Sequence, residues 1–150
     1  MIIKVPAATL VCSTAAYTAG DSIGPLLTLT HVWDFAGQAA ILQSIVVQDL
    51  AAQNSAIDFI FFDANPSATT FTDNGALTVA DADLPKIVGT VSLLASDYVA
   101  FADSSAATVK TIALPVNPLS GSSLYCALVA RGTPTYPTGA DVSLSFGFIE

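Results

Sequence analysis

Apolar side chains recur at every second position along this chain, and that period selects strands over helices. The last segment is the clearest: Val142, Leu144, Phe146 and Phe148 share one face, and Ser143, Ser145 and Gly147 share the other. Leu124, Cys126, Leu128 and Ala130 alternate in the same way. From Ile57 to Phe62 both sets are largely apolar, as in a strand covered on two sides. The same reading places strands at 2–5, 10–17, 26–33, 41–50, 87–94, 98–102 and 108–114, and short helices at 35–43 and 79–83 would not alter the class. Turn residues separate these runs, among them Asn65-Pro66, Asn74-Gly75, Asn117-Pro118 and Ser120-Gly121. The expectation is a single all-β domain spanning residues 1–150, an antiparallel jelly roll or β-sandwich of about eight to ten strands.

Composition narrows the partners. Four Lys and Arg against twelve Asp and Glu give a net charge of −8, which opposes binding to a phosphate backbone. Nucleic acid is therefore not an expected partner. Hydrophobic residues make up 53% of the chain and charged ones only 11%, more apolar surface than one small domain readily hides, so a subunit or partner interface is expected. No run reaches the roughly 18 uninterrupted apolar residues of a membrane helix, and no membrane is expected as a partner. In the opening MIIKVPAATLVCSTAAY, Lys4 follows two isoleucines and Pro6 interrupts the apolar run, so a cleaved leader is not expected. Cys12 and Cys126 are the only cysteines; each sits among apolar residues, and buried free thiols are expected, with a disulfide between terminal strands as the alternative.

Residues 64–86 form a long excursion between two strand-like runs, and such excursions are usually functional loops or disordered segments. Asp73, Asp81 and Asp83 lie in it and are candidate calcium ligands, although Pro85 defeats an EF-hand pattern. No metal or other cofactor is otherwise expected. Gly20-Asp21-Ser22-Ile23-Gly24 spells the G-x-S-x-G of a nucleophile elbow, but Pro25 and a strand-like run follow where a helix is needed, so a turn is expected. His31, the sole histidine, stands near Asp34 and gives too few ligands for a catalytic metal. Asp58 and Asp63 are conceivable flanks of a glycosidase cleft. No catalytic set emerges, and enzyme activity is not expected. The segment 133–139, TPTYPTG, reads as a stiff exposed loop beside Arg131. Phe71, Leu77, Arg131 and Tyr136 are the expected interface residues, since aromatic and Arg side chains anchor interfaces.

The strings IDFIFFDANPSATTFTDNGALTVADADLPKIVG, SDYVAFADSS and LYCALVARGTPTY resemble small proteins encoded among the structural genes of tailed bacteriophages, over residues 45–146. That resemblance implies a capsid decoration or cement protein, a homotrimer or homodimer located in the virion, on the outer capsid surface, with the major capsid protein as partner. The alternative is a carbohydrate- or receptor-binding jelly-roll module of a head fibre or tail spike, with Tyr98, Phe101, Tyr125 and Tyr136 stacking on sugars from one exposed side.

Overall fold

In the computed structural model, which describes residues 2–6, 10–30, 32, 39–117 and 123–150, the alternating runs become nine strands in two antiparallel sheets. In chain order they are β1 (Ile2–Pro6), β2 (Leu27–Leu29), β3 (Ala40–Asp49), β4 (Ile57–Phe62), β5 (Ile87–Leu93), β6 (Tyr98–Ala100), β7 (Ser105–Val116), β8 (Leu124–Ala130) and β9 (Val142–Ile149). The first sheet runs β1-β9-β3-β7-β6 and the second β2-β8-β4-β5. Setting the short β6 aside, the first strand pairs with the last, the second with the second to last, and the third and fourth lie inside them. This nesting is the strand order of a jelly roll.

The two inner faces supply the core. Leu42, Ile45, Val47, Leu144, Phe146 and Phe148 of the first sheet meet Ile57, Phe59, Phe61, Leu124, Cys126 and Leu128 of the second, all essentially buried. Phe146 is the central ring, edge-on to Phe59 at 6.4 Å and to Phe61 at 6.0 Å between centroids, the geometry that ring quadrupoles favour. A bulge between Leu42 and Ser44 carries Ser44 across Gly147, where a Cβ would come within 2.5 Å of the Ser44 hydroxyl. A side chain at Gly147 would therefore make the Ser44 hydroxyl rotate away, a matter of close approach rather than of backbone conformation.

Several expectations change. Residues 10–17 form no strand; the Leu10, Cys12 and Tyr17 amides donate to the Val142, Gly139 and Pro134 carbonyls. The expected helix at 79–83 is a turn leading into a single 3-10 turn at Leu84–Lys86, since Pro85 supplies no amide hydrogen. Of the expected helix at 35–43, residues 40–43 are strand and 35–38 lie outside the described residues. His31, Trp33, Asp34 and the turns at Pro118 and at Ser120-Gly121 also lie outside them.

Candidate functional site

The excursion 64–86 is built into the body. It leaves β4 and returns to β5, yet its middle pairs with residues on the far side of β8. Ser22 bridges Asp73, Asp21 bridges Ala76, and the Leu77 amide donates to the Gly20 carbonyl at 3.0 Å. Residues 20–23 in turn continue the β2 edge along β8, where Ser22 bridges Val129 and the Ile23 amide reaches the Leu128 carbonyl. The excursion thus crosses the outer face of the second sheet. Ala127 and Val129, which alternate outward on β8, are only 1% and 3% exposed beneath that cover. Phe71 packs edge-on against the buried Phe62, with centroids 6.2 Å apart.

Two of its aspartates organise this cover, Asp83 from within the excursion and Asp73 against residues 17–24. The Asp83 carboxylate is buried; it accepts from the Ala68 amide (3.0 Å) and the Thr69 hydroxyl (2.7 Å) and pairs with the Lys86 ammonium (2.7 Å). Burial alone would raise its pKa, but the Lys86 and Thr69 hydrogen bonds hold it below the ordinary carboxylate value. Asp73 accepts from the Tyr17 hydroxyl at 2.6 Å and from the Gly24 amide at 2.7 Å, clasping the excursion to residues 17–24. Burial, and then this bond, push the Tyr17 phenol well up. Asp81 is exposed. The three calcium candidates therefore do not converge, and no group of three or more potential metal ligands forms among the described residues. Two of them carry internal hydrogen bonds instead.

The remaining expectations fare unevenly. Tyr136 is not an exposed anchor: it is 1% exposed and edge-on to Tyr17 at 6.0 Å. Within 133–139, Pro134 and Tyr136 point inward while Thr133, Thr135 and Pro137 point out, so this loop keeps the period of a strand. Leu77 and Phe71, within the excursion, are each half-buried. Arg131 is exposed, and its Nε donates to Asp58 at 2.6 Å, while Ser92 donates to the other Asp58 oxygen at 2.7 Å. Asp58 and Asp63 sit at opposite ends of β4, about 16 Å apart by strand rise, beyond the reach of a carboxylate pair on one glycosidic bond. Burial raises the Asp63 pKa, and its Oδ1 has no partner.

In the G-x-S-x-G segment, Gly20 (φ +105°) and Gly24 (φ +68°) take left-handed turns, and the buried Ser22 hydroxyl donates to the Gly24 carbonyl. It is a turn, as expected, and no helix follows it. Cys12 and Cys126 are free and buried, which pushes the Cys12 thiol up to about 12 and the Cys126 thiol well up. The four-ring sugar platform does not form. Tyr136 is buried, Tyr98 and Tyr125 are half-buried, Tyr98 donates to the Ser55 carbonyl, and Phe101 alone is well exposed, at 61%.

The face that sequence reasoning missed lies on the other sheet. Cross-strand registers align Val99, Ala106, Gln48 and Ser143, then Thr108, Val46 and Ser145, then Lys110, Ser44 and Gly147, all directed outward. Among the described residues these rows hold no carboxylate, in a chain with twelve acidic residues. Ile41 and Ile149 extend the face at one end, 42% and 37% exposed, and Val99 borders the other at 62%. The signal was present in the outward members of the period-2 pattern, Ser143, Ser145 and Gly147.

These features define a β-sandwich with jelly-roll strand order, one outer face roofed and the other open. No protein-family model matches the chain, and no curated protein matches it.

Proposed function

We propose that this chain is a structural virion protein, a capsid decoration or cement protein that binds the outer surface of the major capsid shell without turnover. The observation that carries this reading is the open face of the first sheet, whose described rows hold no carboxylate. Acidic chains of charge −8 repel one another and any acidic partner, but that repulsion is least where small neutral side chains and Lys110 face outward. A flat face of Ser, Thr, Ala and Gly, edged by Ile41, Ile149 and Val99, suits burial against a second protein surface. The resemblance to tailed-phage structural proteins supplies the context, and a homotrimer or homodimer on the particle follows from it.

Mixing the purified protein with capsids stripped of it tests the reading. Saturable uptake and a higher temperature of capsid disruption are expected. Uptake that never saturates, with unchanged heat resistance, overturns it.

A further inference from the structure

Half of the chain's four basic residues stand in one cross-strand row. Register sets Lys4 of β1 opposite Gly147 of β9, Gly147 opposite Ser44 of β3, and Ser44 opposite Lys110 of β7. The other two, Lys86 and Arg131, are taken up in ion pairs with Asp83 and Asp58. Lys110 is exposed and has no carboxylate partner among the described residues. From this row we infer that the open face docks on an acidic protein surface, the partner's carboxylates lying opposite the lysines. This rests on the decoration reading and adds the chemistry of the surface that is met.

Sign, spacing and relief each point to that partner. A lysine on an outer strand discourages unwanted strand pairing, and an acidic residue there carries a charge that serves the same end. Acidic residues outnumber basic ones twelve to four in this chain, yet the charged residues in the rows of this face are lysines. The sign of the charge therefore sets the face apart. Lys4 and Lys110 are three strand spacings apart, about 14 Å, too far for a phosphate, a sulfate or a lone carboxylate to bridge. The row thus fits a surface and not a small anion. Gly147 and Ser44 between them are small, so a partner can approach the sheet closely and exclude water, which strengthens each charge pair. The rest of the chain, acidic overall, repels the same partner, so charge also fixes which face turns toward it.

Stripped capsids test this in two ways. Amidating their surface carboxylates with glycinamide, with the particles intact by electron microscopy, should cut saturable uptake at least roughly tenfold. Net charge alone predicts the opposite, since a less acidic shell repels a chain of −8 less. In the second test Lys110→Gln and Thr70→Glu each make the chain more acidic by one unit, the first within the row and the second at an exposed position of the excursion. Lys110→Gln should slow initial uptake roughly threefold or more, the double variant Lys4→Gln/Lys110→Gln further, and Thr70→Glu far less, while all unfold at the parent's temperature. Equal uptake by amidated and untreated capsids, or equal slowing by Lys110→Gln and Thr70→Glu, overturns the acidic partner and leaves capsid binding standing. Absence of saturable uptake on untreated capsids overturns the decoration reading and this inference with it. Lys110-dependent binding to phosphatidylserine vesicles in place of capsids also overturns the inference, assigning the face to a lipid surface.

Discussion

The two sheets bury their inner faces alike and treat their outer faces in opposite ways. On β8 the outward residues Ala127 and Val129 are apolar, and 23 residues of connection fold over them at residues 64–86; on β9 the outward residues are Ser143, Ser145 and Gly147, and the face stays open. The difference shows that outward positions, not the inward core, decide what a sandwich does with its surface. An apolar outward set is covered by the chain's own connection, with carboxylates as its fasteners. A small polar outward set is left for others.

The largest expected effect comes from unfastening the cover. Asp83→Ala leaves the Ala68 amide, the Thr69 hydroxyl and the Lys86 ammonium without their common acceptor. Hydrogen exchange at the Ala127 and Val129 amides should then speed up roughly tenfold or more, while Val46 and Ser145 on the open sheet change little. The same fastening gives a pH signature. Because the folded pKa lies below the ordinary value, the contribution is complete above about pH 5 and is lost as pH falls through the folded value. Acid should accordingly open the covered face before the open one. Equal exchange rates on both faces at every pH would remove the distinction.

How much of this was legible beforehand follows the same division. Period 2 identified β4, β8 and β9, because an inward apolar set and its spacing are both written in the residues. It also marked β4 as covered on two sides, which Phe62 under Phe71 bears out. It did not reveal the cover's partners: Tyr17 and Asp73 lie 56 positions apart, and nothing local to either one signals their bond. Tyr136 was misjudged because two prolines suggested an exposed loop, while the alternation of Pro134 and Tyr136 against Thr135 and Pro137 already pointed inward.

Next in size is the clasp itself. Tyr17→Phe keeps the ring against Tyr136 and removes only the hydroxyl that bonds Asp73 and receives the Ser13 amide. Losing a hydrogen bond to a charged acceptor costs about 2 kcal/mol, and chemical denaturation should register that loss with an unchanged slope. A result near zero would mean that the Gly24 amide alone secures Asp73.

The smallest effect on stability should come from the open face, and that smallness is the point. Ser145 stands outward between Val46 and Pro6 in the register, half-buried and with no charged neighbour in its row. Ser145→Glu should alter stability by less than about 0.5 kcal/mol, as surface changes usually do. It nevertheless places a carboxylate in the centre of a face whose described rows hold none. If this face is the docking surface, the variant should fold normally and fail to saturate stripped capsids, because a desolvated, unpaired charge opposes burial. A matching change on the covered side, Asp81→Ser, removes an exposed charge and should leave uptake as it was. Uptake lost in Asp81→Ser and kept in Ser145→Glu would reverse the assignment, making the roofed face the one that meets the shell.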